Sequence, residues 1–293
     1  MKYFSRLTAD TSFKYILATA AVVVPLVCGG IVLALIGNSL EAFTQFGFFR
    51  FLFSTNWCQT PGHESYGALP FVVGTLLTTL LALVLCIPFS LAIALFNGEY
   101  YKDKPLARTL STIVDLLAGI PSVIYGLWGF YVLRPVVMTL GLSPQGSGIL
   151  TASLVLTVMI IPYAASLSTE FIKMVPVRLK EGAYSLGATH AEVLARIVFP
   201  TAGSGVFSAF ILAVGRALGE TMTVTMLIGN TNQVPGSIYD TGNSMASIVA
   251  NQFGEADGLK LSSLFAIALL LFTITAIINI IGKIIIRRSA IKK

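Results

Sequence analysis

Residues Gly205 to Gly229 read GVFSAFILAVGRALGETMTVTMLIG, an apolar stretch that holds an arginine and a glutamate one helical turn apart, Arg216 and Glu220. As a helix, a stretch of this length crosses the hydrocarbon of a bilayer. Each charge at mid-membrane costs about 2.5–3.5 kcal/mol on insertion scales. The pair therefore predicts a membrane helix that carries a functional site at mid-depth.

The composition is that of an integral membrane protein. The 293 residues are 55% hydrophobic and 11% charged, against about 25% charged in soluble domains, and the mean hydropathy is +0.84. The first apolar run follows basic residues but is too long for a signal peptide, so we expect a retained helix. The predicted fold is an all-α bundle of six transmembrane helices. We place them at residues 15–37, 71–96, 111–133, 149–169, 204–229 and 262–286.

The cysteines and histidines do not form a recognisable site. Cys28, Cys58 and Cys86 have no disulfide or metal spacing, and His63 and His190 stand apart. The spans also lack a combination of nucleophile and base. We therefore expect no metal, no cofactor and no catalysed reaction in this chain.

The basic residues are distributed unevenly. Of the 19 lysines and arginines, 15 lie in the N-terminal segment, the loops after the second and fourth spans, and the tail. The positive-inside rule then predicts a cytoplasmic-membrane protein with both termini in the cytoplasm. The net charge of +6 reflects this topology and does not indicate nucleic-acid binding. On the other side, loops 38–70 and 230–261 either receive an extracytoplasmic partner or simply connect spans.

The loop between the fourth and fifth spans, residues 176–200, is predicted to form two short helices at the cytoplasmic surface. Pro176 suits the first turn of a helix, and Gly187 suits the left-handed residue at its end. Thr189 and Glu192 have the spacing of a capping box, which opens a second helix.

The faces of these helices follow from their spacing. Leu179, Ala183 and Leu186 lie on one side of the first helix. Tyr184 and His190 are expected at the surface or in contacts. Pro200 is expected to end the second helix before the fifth span.

The same loop carries a spaced motif whose members are Glu181, Gly182, Ala183, Gly187, Ile197 and Pro200. Its spacing resembles the EAA loop of ABC importer permeases, which docks in a groove of the ATPase subunit. The resemblance implies that these residues couple the chain to an ATPase; the alternative is a plain connector. The sequence departs from the family at Gly182, usually alanine, and at Phe199, usually leucine. Gly182 loosens the helix by about 1 kcal/mol relative to alanine.

A phosphate loop of the form GxxxxGK[ST] does not occur in the sequence. ATP and Mg²⁺ are therefore expected on a separate ATPase subunit, in agreement with the resemblance.

The mid-membrane charges suit an anion path. On a helix with 100° per residue, Arg216, Glu220 and Thr223 share a face, and Gly215 with Gly219 forms an edge for close helix approach. A guanidinium offers a planar fork of donors that matches phosphate oxygens. Either Glu220 holds Arg216 until an anion arrives, which makes the pair a gate, or the pair is a structural lock.

The third span is expected to be interrupted at Pro121 and by three glycines. Broken helices at membrane depth line a cavity or are buried in protein. Ser122 and Tyr125 then either present hydroxyls to the path or satisfy them in packing.

Residues 66–75, 117–129 and 215–230, together with the EAA-like loop, resemble the PstC-like branch of ABC importer permeases, over about residues 56–286. The Thr-Met-Thr-Val-Thr-Met run after Glu220 favours this branch over the paired PstA-like permease. The resemblance implies a type I importer permease. Residues 1–70 would form the first helix and outer loop, and residues 71–286 the permease domain.

The resemblance also implies partners and a substrate. They are a PstA-like second permease, a dimeric PstB-like ATPase, a periplasmic PstS-like phosphate-binding protein and membrane lipid, with inorganic phosphate as the cargo. Two alternatives remain open. One is an ABC permease for another oxyanion such as sulfate or molybdate, and the other is a secondary anion transporter.

Overall fold

The computed structural model describes residues 2–60, 63–102 and 104–291, and these residues are mostly helical. The first residue of the predicted N-terminal domain, Met1, lies outside the described residues, as do Lys292 and Lys293 of the basic tail. The α-helices are α1 (Lys2–Phe46), α2 (Phe48–Phe53), α3 (Leu69–Leu95), α4 (Pro105–Ala118), α5 (Ser122–Trp128), α6 (Arg134–Thr139), α7 (Ile149–Lys173), α8 (Val177–Ser185), α9 (His190–Val193), α10 (Phe199–Leu218), α11 (Met222–Leu227), α12 (Met245–Gln252) and α13 (Gly258–Ile291).

Short elements of other types join these helices. The π-helical turns are Phe96–Tyr100, Gly129–Leu133 and Leu194–Val198, and a 3₁₀ turn covers Phe253–Glu255. A small antiparallel hairpin pairs β1 (Trp57–Cys58) with β2 (Ser65–Tyr66). We call the end of the bundle that holds α8 the basic end, after its lysines and arginines.

Within the described residues, six segments are long and apolar enough to cross a membrane, as the sequence predicts. They are Phe13–Phe46, Leu69–Tyr100, Ser122–Thr139, Ile149–Lys173, His190–Leu218 and Gly258–Arg288. The segment in α7 is the innermost, with 67% of its apolar window buried inside the chain. It packs against α3, α10, α4 and α11.

The interruption of the third span is confirmed, but its predicted bounds are wrong. The segment that is long and apolar enough to cross, Ser122–Thr139, begins and ends later than residues 111–133, and α4 lies before the interruption. Between α4 and α5 the chain turns at Gly119 to Pro121. Proline lacks an N–H donor and disfavours a helical conformation in the preceding residue, so one helix ends here and another begins.

The predicted bounds of the fifth span, 204–229, are also wrong, and so is the expected stop at Pro200. The helical segment runs from His190 to Leu218, and Pro200 lies in the first turn of α10. The π-helical turn Leu194–Val198 comes directly before it, and the Phe199 N–H donates to the Leu194 carbonyl. We attribute the continuity to this wider turn, which shifts the carbonyls that a proline ring would otherwise meet.

The two loops at the opposite end of the bundle pack against each other. Phe51, Tyr66 and Phe71 form one apolar cluster with Met245 and Ile248 of α12. The Trp57 indole N–H of β1 donates to the Gln252 side-chain oxygen across 3.3 Å. Residues 38–70 and 230–261 therefore share a packed core.

Candidate functional site

The apolar stretch of residues 205–229 is broken between α10 and α11. After Leu218 the chain leaves the helix at Gly219, Glu220 and Thr221. The Glu220 carboxylate accepts the backbone N–H of Thr223 at 3.2 Å, in the first turn of α11. A carboxylate in this position satisfies a free helix donor and suits the positive end of the helix dipole. Glu220 thus stabilises the start of a new helix.

Thr223 anchors α11 to α5. Its side chain is fully buried, and its hydroxyl donates to the Ser122 carbonyl at 2.8 Å. Gly126, one turn further along α5, permits the close approach: a Cβ there would lie 3.3 Å from the Thr223 Cα and 2.7 Å from the Met226 sulfur. Two candidate residues, Ser122 and Thr223, are therefore in direct contact.

Arg216 stacks on an aromatic ring. Its side chain is exposed within the single chain, and its guanidinium carbon lies 4.1 Å from the centre of the Tyr163 ring, on α7. A cation over the face of a tyrosine ring is attracted by the electron density of that face. The stacking holds the guanidinium in a defined orientation.

Two tyrosines fix the end of α4 beside this arginine. The Tyr163 hydroxyl donates to the Ala118 carbonyl at 2.9 Å, and the Tyr125 hydroxyl donates to the Leu117 carbonyl at 2.8 Å. The last carbonyls of a helix have no partner within it, so these bonds stabilise the break before Pro121. The Tyr125 hydroxyl is thus bonded inside the chain.

The shared face and the ion pair expected for Arg216 and Glu220 are wrong. The helix ends between them, and among the described residues no ion pair joins their side chains. Each has another contact, Glu220 with α11 and Arg216 with Tyr163. The role of either residue in a gate stays a prediction.

Of the two glycines predicted to allow close helix approach, Gly215 faces another helix and Gly219 does not. A Cβ on Gly215 would meet Asn279 of α13 at 3.6 Å, which is ordinary contact, whereas Gly219 lies near no other helix within 4 Å. A tighter contact of α10 and α13 lies one turn away, where a Cβ on Gly282 would lie 2.8 Å from Ile211.

Tyr163 is the residue that sequence reasoning missed. It lies 53 positions before Arg216, and neither spacing nor a motif connects them. Its sequence signal is a hydroxyl-bearing aromatic directly after Pro162, inside an apolar span. Because a buried tyrosine hydroxyl needs a partner, this position was a reasonable candidate for a polar contact at mid-depth.

The loop at residues 176–200 has the predicted shape. Two helices, α8 and α9, are joined by a bend at Gly187, whose φ is +84°. Both capping-box bonds are present: the Glu192 N–H donates to the Thr189 hydroxyl, and the Glu192 carboxylate accepts the Thr189 N–H at 2.8 Å. Pro176 lies one position earlier than predicted, at the N-cap of α8.

The motif residues lie mostly on the surface of this loop. Glu181 and Gly182 are exposed, and of the predicted face Leu186 is 90% exposed and Leu179 48%. Ile197 packs partly on the core at the basic end. A cavity of about 280 Å³ lies between α8 and the following helix; it is lined by Ala183, Leu186, Gly187, Ala188, Glu192, Val193, Arg196 and Ile197.

Tyr184 and His190 contact each other on this surface. The Tyr184 hydroxyl lies 2.7 Å from the His190 Nδ1 atom, and Tyr100 meets the same histidine ring edge-on at 4.7 Å. The contact role expected for these two residues agrees with this geometry.

Six apolar segments long enough to cross a bilayer, among the described residues, are typical of a multi-pass membrane protein. Residues 86–291 match the family described as binding-protein-dependent transport system inner membrane component, and the chain belongs to this family. Among curated relatives, the phosphate transport system permease protein PstC of Haemophilus influenzae is 39% identical over 98% of this chain and 96% of its own length. PstC of Mesorhizobium japonicum is 38% identical, covering 95% and 90%.

Solved structures share the fold at low sequence identity. A bacterial alginate ABC transporter aligns with a TM-score of 0.61 and 18% identity over 86% of this chain and 87% of its own. The inward-facing MetNI methionine ABC transporter aligns at 0.58 and 19%, over 76% and 94%. The predicted all-α fold of an ABC importer permease is confirmed.

Proposed function

We propose that this chain is the permease subunit of an ATP-driven importer that carries inorganic phosphate across the cytoplasmic membrane into the cell. The observation that carries the proposal is the similarity, over nearly the whole chain, to permeases named for phosphate transport. A chemically suitable group, Arg216, lies close to the break between α10 and α11 and supports the proposal.

Arg216 is the proposed contact for the anion. Stacking on Tyr163 occupies a face of the guanidinium, while the N–H donors point outward in its plane. A tetrahedral oxyanion can therefore accept two of these hydrogen bonds without displacing the ring. The exposure of this side chain within the single chain supports a position beside the second permease, where a shared path would run.

Within the described part of the chain Glu220 does not form an ion pair with Arg216, so we assign it a structural role instead. Its carboxylate accepts the Thr223 N–H, and the Thr223 hydroxyl in turn bonds the Ser122 carbonyl. We propose that these three residues keep the backbone break in place, so that Arg216 lies beside an interruption of the helix and not inside a continuous apolar wall. Tyr125 contributes by fixing the end of α4.

The loop at residues 176–200 is the proposed docking element for the ATPase. Its outward side chains, Leu179, Tyr184 and Leu186, are exposed although two of the three are aliphatic. Such a surface favours a partner protein, because exposed apolar groups gain free energy when they are buried. Glu181 adds a charge beside them.

The remaining parts of the importer belong to other chains in this proposal. A PstA-like permease completes the path, a PstB-like ATPase dimer binds ATP and Mg²⁺, and a PstS-like periplasmic protein delivers phosphate. This chain then holds no cofactor and catalyses no reaction. Both termini and the basic end face the cytoplasm, as the basic residues predict.

The test is uptake of radiolabelled phosphate in a strain that lacks its own permease and expresses this chain with the other subunits. We expect uptake that needs an active ATPase and is not reduced by excess sulfate or molybdate. Uptake that persists with an inactive ATPase and an intact ion gradient would instead identify a secondary transporter. Competition by sulfate or molybdate would reassign the substrate.

The Arg216→Gln variant tests the anion contact within this function. A charged hydrogen bond is worth about 1.5–3 kcal/mol, so we expect phosphate uptake to fall by about tenfold or more. Assembly with the ATPase should be unchanged. The matched control is Arg134→Gln, because Arg134 also stacks on a ring, that of Phe130, with its guanidinium carbon 4.6 Å from the ring centre. Normal uptake by Arg216→Gln would refute the contact.

A further inference from the structure

A buried ion pair connects the surface loop to the membrane bundle. The Lys180 side-chain amine, on α8, donates to the Glu99 carboxylate, 81 residues earlier in the π-helical turn after α3. Each side chain is 9% exposed. The other ion pair among the described residues, Glu170 with Lys173, joins neighbours on one helix and is much more exposed.

Lys180 differs from its neighbours on α8. Leu179 and Glu181, on either side of it in the sequence, are exposed. Apart from this pair, α8 packs mainly against α9 and the turn Leu194–Val198, which belong to the same loop. The pair is thus the charged connection from α8 to the end of α3.

The turn that carries Glu99 is itself packed tightly onto α7. A Cβ on Gly98 would lie 2.8 Å from a methyl group of Ile172 and 3.3 Å from the Thr169 carbonyl oxygen. Tyr100, which follows Glu99 in the sequence, meets the His190 ring. A displacement of this turn would therefore act on both α3 and α7.

Stability alone is a weak reason for such a pair. Replacing a buried ion pair with apolar residues of similar volume is often neutral or stabilising, whereas removing one partner leaves a costly unpaired charge. The attraction between two charges falls only as the inverse of their distance, so it continues to act when the partners begin to separate. These properties suit a connection that transmits movement.

We propose that Glu99 and Lys180 are positioning residues that connect α8 to the end of α3. When the docked ATPase moves the loop that contains α8, this connection moves the membrane helices as well. This inference rests on the proposed function, because it requires that α8 docks on an ATPase. When α8 shifts, the pair pulls the turn Phe96–Tyr100, and the packing of that turn passes the shift to α3 and α7. Without the pair, α8 can move with the ATPase while the bundle lags behind.

The experiment uses the complete transporter in proteoliposomes and measures phosphate taken up per ATP hydrolysed. The single variants Lys180→Met and Glu99→Gln should still assemble and hydrolyse ATP. Their uptake per ATP should fall by about tenfold or more. The reason is that breaking a buried ion pair costs more free energy than a tenfold change in an equilibrium constant requires. The conservative variant Lys180→Arg and the charge-swapped double variant, Glu99→Lys with Lys180→Glu, should recover most of the ratio.

Two further variants keep the outcome decisive. Lys173→Met breaks the exposed Glu170–Lys173 pair and should leave uptake per ATP unchanged. If the single variants do not assemble, the uncharged double variant Glu99→Gln with Lys180→Met should assemble and still show a low ratio.

A wild-type ratio in the uncharged double variant or in both single variants would overturn the inference, and so would failure of both Lys180→Arg and the charge swap to recover it. If the wild-type complex itself shows no ATP-dependent phosphate uptake, the proposed function fails instead. The two failures are therefore distinguishable.

Discussion

The bend in the loop at residues 176–200 and the helix break at residues 216–223 each have a glycine at the turn, but these two glycines act differently. Gly187 in the loop has a φ of +84°, with open space around its Cα. Gly219 at the break has a φ of −88°, which any residue adopts. The loop is shaped by backbone conformation, whereas the break depends on side chains that meet from distant parts of the sequence. Local rules therefore predict the first region and fail in the second.

Among substitutions that compare the two regions, Gly126→Ala is expected to have the largest effect on stability and uptake. Gly126 lies where α5 contacts α11, beside the helix break. The added methyl group would lie 3.3 Å from the Thr223 Cα, and overpacking of this kind costs about 1–3 kcal/mol. We expect a lower midpoint of thermal unfolding in detergent and weaker phosphate uptake. An unchanged midpoint and unchanged uptake would show that α5 and α11 can separate freely.

A smaller effect is expected for Gly187→Ala in the loop. A left-handed conformation costs a residue with a Cβ about 1–2 kcal/mol, while the space around Gly187 is open. The penalty should therefore appear as local loosening, measured as faster amide hydrogen exchange in α8 and α9. Exchange in α5 and α11 is the internal control. Loss of protection throughout the bundle would contradict a purely local role.

The smallest effect, with the opposite sign, is expected for Gly182→Ala. Gly182 lies inside α8 without a positive φ, and an added Cβ would meet no other atom within 4 Å. Alanine should stabilise the helix by about 0.5–1 kcal/mol, because glycine loses more backbone freedom on folding. Slower amide exchange in α8 would confirm this, with Gly187→Ala as the matched variant. Faster exchange would mean that an unrecognised contact needs the glycine.

The sequence predicted features that local chemistry decides. The six spans follow from apolar length, and the capping box of Thr189 and Glu192 follows from spacing alone. The ends of the third and fifth spans were wrong, because they depend on partners elsewhere. Tyr163 bonds the end of α4 from a position 45 residues away, and the Thr223 hydroxyl of α11 bonds the Ser122 carbonyl 101 residues earlier.

The burial of Lys180 shows the same limit. From the sequence, Lys180 was predicted to lie with several other basic residues at the cytoplasmic surface. Its neighbours in α8 are exposed as expected, but Lys180 itself is buried. Its partner Glu99 is 81 residues away, so helical spacing carries no information about the pair. The contacts that the sequence did not predict, Tyr163 with Arg216 and Glu99 with Lys180, join side chains that are far apart in the sequence.

The turn Leu194–Val198 has a mechanical consequence. Because this turn carries the helix past Pro200, residues His190 to Leu218 form one continuous helical segment, or rod, of 29 residues. At 1.5 Å per residue the rod is about 43 Å long. One end of this rod belongs to the surface loop, and Arg216 lies two residues from the other. A tilt of about 5° around its middle would move each end by about 2 Å in opposite directions. The rod can therefore act as a lever between the membrane surface and the arginine.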